Sequence, residues 1–408
     1  MIRGSGGGGG EGVGGGDDAG GAGGGANLAG LRGHNAALVL SLLRAAGLRG
    51  EAGPGRGELA ARTGLTPQAV SKITARLAAE GLVAEAGRGA STGGKPRTLL
   101  RLVPEARYAV GAHLDRDELR VVRVDLLGRV VAEWRRPLDF GAEPDVVVGV
   151  VAEAVVRACG GGPGGGGLGG VGGLAGLAGV GAVGAVGGAG GSGGVVGVPL
   201  GVGVAAPGPL DHRTGVLGRV TGFPGWEGYP LRAALAGRLG LPVVVDKDTN
   251  AGAAGAGPGP GGSVYLHVGT GLGAGLRLGG EVYRGSRSGA GEFGHQVLLL
   301  DGPPCRCGAR GCAEVLCLEA VARGDLARAA RVLGEAAANL VALLDVERVL
   351  LGGRVVAGAP EVFVEGVRTV LAARALGGEP ARVERAPGGV AEGAAELVLA
   401  PLFGSGRV

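Results

Sequence analysis

The chain has 408 residues, a net charge of +4 and five cysteines, which permits two or three domains with cores of their own and excludes a disulfide-stapled scaffold. Glycine, at 96 residues, is far above ordinary usage and concentrates at 1–30 and 160–194. Lysine occurs only at Lys72, Lys95 and Lys247 among many arginines, a bias that points to a GC-rich genome, so part of the glycine reflects mutational drift rather than structural need.

The charge is uneven. Residues 31–107 carry twelve Arg or Lys against five Glu, a local balance of +7, while the first thirty carry −2 and the remainder −1. A basic segment ahead of a near-neutral body is the footprint of a nucleic-acid module with a separate effector domain; a solvated basic surface is the bland alternative. Residues 1–30 have neither the basic nor the Leu-rich region of a signal peptide, so a disordered tail and a cytoplasmic protein are expected. The long apolar run at 164–200 is broken by glycine every second or third residue. It reads as a disordered surface insert, and no membrane association is expected.

In chain order, Leu38, Leu42, Leu43 and Ala46 recur at helical spacing and predict a first helix from about His34 to Ala46. Gly57–Thr63 predicts a short second helix, with a turn at Gly64-Leu65. Thr66 then caps a third helix that has Pro67 at its first position, runs to Glu80 and stops at Gly81. Val70, Ile73 and Leu77 form its buried stripe, leaving Gln68, Ser71, Lys72, Ala75 and Arg76 on the other faces. Helix, tight turn and helix with small outer residues suits a major groove: Gln68 and Ser71 can reach base edges, Lys72 and Arg76 phosphates. Leu82-Val83 and Leu99–Val103 read as two strands flanking a basic tip from Arg88 to Arg97, a wing whose Lys95 and Arg97 add phosphate contacts. A helical hairpin for protein contact is the competing reading.

Further along, an apolar strand within 195–211 ends in a Pro-Gly turn, Leu231–Leu239 is a helix, and Pro242–Asp246 a buried strand that delivers Lys247 and Asp248. Val264–Val268 is a strand followed by Gly269–Gly275, read as a glycine-rich turn able to expose N–H groups to an anion. Another strand ends at Leu350-Leu351-Gly352-Gly353. Strands alternating with helices predict an α/β body. Between these lie His295, Cys305, Cys307 and Cys312, spaced H-x9-C-x-C-x4-C. One imidazole and three thiolates suit a closed, tetrahedral, structural Zn²⁺. Cys159 and Cys317 read as core residues.

The string GELAARTGLTPQAVSKITARLAAEGLV with GGKPR resembles the winged helix-turn-helix of ROK-family repressors, sugar-responsive regulators related to sugar kinases. GEFGHQVLLLDGPPCRCGARGCAEVLC resembles the ROK signature. Beyond the tail at 1–30, the resemblance implies a winged helix-turn-helix at 31–107 and a two-lobed, actin-like ATPase fold at 108–408, interrupted by the insert at 160–194. It implies that zinc braces a sugar pocket, that Asp248 stands at the catalytic base, and that Glu292, His295 and Glu314 contact sugar hydroxyls. It also implies a double-stranded operator, a sugar or sugar-phosphate effector and a homodimer or higher homo-oligomer.

Two positions depart from the kinase pattern. The family's phosphate-gripping Asp-x-Gly-Gly-Thr turn corresponds to His113-Leu114-Asp115-Arg116-Asp117, where two acids would repel phosphate, so ATP binding should be poor and Asp248 vestigial. Lys247 stands where the family has asparagine; it either pairs with Asp248 or Glu292, or accepts an anionic effector. An ATP-dependent sugar kinase is the alternative function.

Overall fold

The computed structural model describes residues 28–89, 97–160, 197–257, 261–375 and 378–404. Lys95, the tail at 1–27 and the glycine-rich stretch after Gly160 lie outside the described residues. Helices α1 (Leu28–Leu48), α2 (Arg56–Thr63) and α3 (Pro67–Ala79) come first, followed by an antiparallel ribbon of β1 (Val83–Arg88) and β2 (Thr98–Leu102). This is the arrangement expected of a winged helix-turn-helix. The predicted cap is present: Thr66 Oγ1 accepts from the Ala69 N–H at 3.2 Å, Pro67 opens the helix, and Gly81 has φ +73°.

Three local expectations need correction. Helix α1 runs well past His34–Ala46 at its amino end, and the first strand of the ribbon, read as Leu82-Val83, runs from Val83 to Arg88. On α3 the fully buried neighbour of Val70 and Leu77 is Thr74, while Ile73 is half-buried. Thr74 is tolerated inside because its hydroxyl donates to the Val70 carbonyl at 2.9 Å and accepts from Arg56 Nε at 3.3 Å.

The body contains two five-stranded sheets of the same topology. The first has the order β5-β4-β3-β6-β9, from β3 (Arg107–Leu114), β4 (Glu118–Asp125), β5 (Val130–Pro137), β6 (Val198–Ala206) and β9 (Val243–Lys247), with a small ribbon of β7 (Leu210–Asp211) and β8 (Val216–Leu217). The second has the order β12-β11-β10-β13-β14, from β10 (Ser263–Val268), β11 (Leu272–Leu278), β12 (Glu281–Tyr283), β13 (Arg348–Gly352) and β14 (Arg382–Arg385). In each, the first three strands are antiparallel and the last two join in parallel. Helices α4 (Pro144–Ala158) and α5 (Leu231–Leu239) cover one face of the first sheet. Helices α7 (Ala313–Ala322), α8 (Leu326–Leu344) and α10 (Pro360–Arg374), with the short α9 (Arg354–Gly358), pack on the second. Helices α6 (Asp248–Ala254) and α11 (Val390–Leu399) lie between.

The glycine-rich segment after β10 is not all turn. Only Gly269–Gly271 turns the chain; from Leu272 onward it is β11. Glycine is needed inside that strand because α6 runs against it: a Cβ on Gly275 would lie 1.9 Å from the Thr249 carbonyl oxygen.

The boundary expected after residue 107 falls at the start of β3, yet the core does not divide there. One apolar cluster joins Val39 and Leu43 of α1 and Val70 of α3 to Val122 and Val124 of β4 and Leu399 of α11. Leu43, 1% exposed, sits in this shared core. Leu43→Ala should cost about 2–5 kcal/mol. Calorimetry should show the amino-terminal helices and the body unfolding in one transition that moves down together; two transitions with only one displaced would disprove a shared core.

Candidate functional site

Helix α6 follows strand β9 without a loop between them. Asp246, 0% exposed, holds this junction: its Oδ1 accepts from the Lys247 N–H at 2.8 Å and from Asn250 Nδ2 at 2.7 Å, and its Oδ2 accepts from Arg284 Nε at 2.7 Å. A carboxylate so deep must be paired, and three donors satisfy it. The next residue, Lys247, is 3% exposed and points its ammonium at the Ala290 carbonyl (2.6 Å) and at Glu292 Oε1 (3.2 Å). Of the alternatives open for Lys247, its ion pair is with Glu292.

Asp248 follows as the first residue of α6, its Oδ1 accepting from the Thr249 N–H at 2.6 Å. Burial holds its carboxyl above the ordinary range. Glu314, in the first turn of α7, accepts from the Leu272 N–H at 3.0 Å. Lys247, Asp248, Glu292 and Glu314 line one cleft between the two sheets, joined by Asp115, Arg116, His267 and Thr270. Four of the five residues expected at a sugar site are thus together. His295 is not among those that line the cleft; its Nδ1 faces Cys305 Sγ at 3.7 Å.

The hairpin tip between β3 and β4 reaches across this cleft. Asp115 accepts from Thr270 Oγ1 at 3.2 Å, and Asp117 accepts from Arg354 Nη1 at 2.8 and 3.0 Å. The acids expected to repel an anion are therefore each met by a donor from the second sheet. Behind the tip lies a cavity of about 750 Å³, lined by His113, Arg120, His267, Gly353 and Arg354. Sequence reading missed Arg284, Arg354 and His267. A histidine within an apolar strand was a signal for the last; the two arginines carry no local mark.

His295, Cys305, Cys307 and Cys312 bring their donor atoms within 4.8 Å of one another. The Cys307–Cys312 sulfur separation of 3.7 Å is close to the ~3.8 Å edge of a tetrahedron with ~2.3 Å thiolate arms. Gly308, at φ +95°, makes the turn between the first two cysteines and the third. Burial, then the neighbouring thiols, push Cys312 up to about 12, the electrostatic problem that a bound dication solves. The cluster can hold a metal ion.

The amino-terminal module presents Gln68, Ser71 and Lys72 to solvent on α3. Arg76 is half-buried, its Nε 3.6 Å from Glu80, and the exposed Arg97 stands 4.0 Å from Glu58. Gln68, Ser71, Lys72 and Arg97 are therefore available to a ligand without rearrangement.

A family model described as "ROK family" matches residues 195–323. The putative xylose repressor of Caldicellulosiruptor sp. (strain Rt8B.4) is 25% identical over 267 residues, 64% of this chain and 58% of that one. The kanosamine kinase of Amycolatopsis mediterranei (strain S699) is 32% identical over 250 residues, 52% of this chain and 81% of the kinase. The chain spans about six tenths of the length of the xylose repressors it matches. Among solved structures, a ROK family transcriptional regulator described as a homolog of the E. coli MLC protein aligns with a TM-score of 0.66 at 20% identity, covering 91% of this chain and 97% of that one. That likeness spans the helices, the ribbon and both lobes, and it fixes the fold.

His113 gives a pH signature to the cavity behind the hairpin. Burial, then the neighbouring His267, lower it to about 4, whereas a histidine in the unfolded chain protonates near 6.5. Between those values the unfolded chain takes up the proton first, so stability falls as pH drops from about 6.5 to about 4 and levels off below both. The contribution is about 3 kcal/mol over that window. Urea unfolding of the parent and of His113→Gln should diverge as pH falls, the variant losing less; parallel curves would show that His113 does not titrate this way.

Proposed function

The chain belongs to the ROK family, and from that premise we propose that it is a DNA-binding transcriptional regulator, in the manner of a repressor, whose operator affinity changes when a sugar or sugar phosphate occupies the cleft. The observation that carries the proposal is the joining, through one apolar core, of a capped helix-turn-helix that presents Gln68, Ser71 and Lys72 to solvent to a two-lobed body with a polar cleft. Gln68 and Ser71 read base edges; Lys72, Arg76, Lys95 and Arg97 meet phosphates, Arg76 by releasing Glu80. In the cleft, Asp248, Glu292 and Glu314 accept from sugar hydroxyls, and Lys247 orients Glu292. His295, expected to contact the sugar, stands outside the cleft lining and serves the metal cluster instead. Closure of the two lobes supplies the second conformation that a regulator needs. The protein acts in the cytoplasm as a homodimer or higher homo-oligomer that sets two α3 helices on a palindromic operator.

His295, Cys305, Cys307 and Cys312 would hold a structural Zn²⁺, whose chemistry is to tie the loop before α7 into a fixed shape and so hold Glu314 in place. The second reading, a sugar kinase, is favoured by Asp248, Glu292 and Glu314 in one cleft and by the kanosamine kinase likeness. Against it, the hairpin tip at Asp115–Asp117 presents carboxylates where a phosphate would need N–H groups, and Asp117 is engaged by Arg354.

Selection of binding sites by the purified protein, repeated with a panel of sugars and sugar phosphates, should yield a palindrome whose affinity one compound changes. No specific site under any condition would sink the regulator reading. Sugar-dependent ATP consumption abolished by Asp248→Asn would establish the kinase. Lys72→Ala should weaken operator binding and reduce the slope of log affinity against log salt by about 1; an unchanged slope would remove Lys72 from the interface. Cys307→Ser should release zinc, measured by atomic absorption, and weaken sugar binding; retained zinc would refute the four-ligand assignment.

A further inference from the structure

We infer that the ion pair between Arg44 and Glu396 is the joint that couples the sugar cleft to the DNA-binding helices, an inference that rests on the regulator reading above. Asp248, in the cleft, is the first residue of α6. Helix α6 touches α11 backbone to backbone: a Cβ on Gly393 would lie 1.8 Å from the Ala251 carbonyl oxygen. Two helices in such contact cannot slide past one another without separating. Glu396 lies one turn beyond Gly393 on α11. Both of its oxygens accept from Arg44 of α1, from Nη1 at 2.7 Å and Nη2 at 2.6 Å.

The pair is directional where its surroundings are not. The Arg44 side chain is 12% exposed and its guanidinium lies 4.4 Å from the Phe403 ring centroid. A bidentate guanidinium–carboxylate pair fixes orientation as well as distance. Among the described residues, Val39 and Leu43 of α1 meet Val124 and Leu399 of the body in apolar packing. Such packing resists separation but gives less directional control. Helix α1 packs in turn on α2 and α3. Among the described residues, the path from Asp248 to the candidate recognition helix runs through four helices and crosses from α11 to α1 at the Arg44–Glu396 ion pair.

There is room for that joint to move. A cavity of about 230 Å³ borders Ser41, Arg44 and Leu48 of α1 and reaches Asp246 and Arg284, the residues that hold the strand ahead of Asp248. A shift of α6 and α11 on sugar binding re-aims Glu396, and α1 follows Arg44 into that space. This provides the two-state element that coupling between separate sites requires.

The test uses the full chain carrying Arg44→Met together with Glu396→Gln, which removes both charges and strands neither. Operator affinity is measured without sugar and at saturation with D-xylose, D-glucose, glucose 6-phosphate or kanosamine, and sugar affinity is measured separately by calorimetry without DNA. In the parent, the active sugar should change operator affinity by about 5–150-fold. In the double variant that ratio should fall toward one, while sugar affinity without DNA and operator affinity without sugar stay at parent values. A ratio equal to the parent's overturns the inference. So does loss of folding or of sugar-free operator binding, because the pair would then be a structural staple. A parent that binds no operator, or one indifferent to all four sugars, refutes the regulator reading instead and is recognised before any variant is made.

Discussion

Helix α11 sets the geometry on which the other parts depend, because it rests on three neighbours with hardly any side chain between. A Cβ on Gly111 of β3 would lie 1.9 Å from the Ala391 carbonyl oxygen, and one on Gly203 of β6 would lie 1.8 Å from that of Ala394. Gly393 makes the same approach to α6. Glycine inside a strand ordinarily weakens it; here it admits a helix to backbone distance and lets one element bind the first sheet, the junction below the cleft and α1 together. Whatever share of the glycine in this chain is drift, these positions are structural.

The cleft shows how a polar site is kept ordered without being neutral. Asp248, Glu292 and Glu314 face it together with Asp115. Each is held by a donor: a backbone N–H at Asp248 and Glu314, the Lys247 ammonium at Glu292, the Thr270 hydroxyl at Asp115. Carboxylates so fixed keep lone pairs facing the cleft and have little side-chain freedom left to lose. Asp246 and Arg284, one layer deeper, keep the strand end from yielding to that crowd of charge.

Much of this was legible in the residues because the signals are local. The Thr66–Pro67 cap, the Gly81 stop and the spacing of His295, Cys305, Cys307 and Cys312 are each set by a few neighbouring positions; the cap and the stop stand as read, and the four donors come within 4.8 Å of one another. The alternation of strands and helices likewise gave the α/β class, while edge strands such as β5, β12 and β14 went unread. What escaped was long-range. Arg44 and Glu396 are 352 positions apart, and Asp246 and Arg284 are 38 apart, so neither pairing leaves a trace in spacing. The misread turn after Val268 has a related cause: glycines in β11 answer to α6, which packs on them from elsewhere in the chain. Thr74 escaped because its burial depends on Arg56 across the turn.

The shared core also orders events in time. A ribosome finishes α1–α3 and the ribbon long before it reaches Leu399 and Phe403, which complete the same cluster. Until then the apolar side of α1 lacks part of its cover, and Arg44 lacks its carboxylate. The amino-terminal helices therefore reach their final packing only after the carboxyl-terminal helix has emerged, so a nascent or truncated chain carries a first helix that is incompletely covered. Synthesis of the last helix thus acts as a licence for the first.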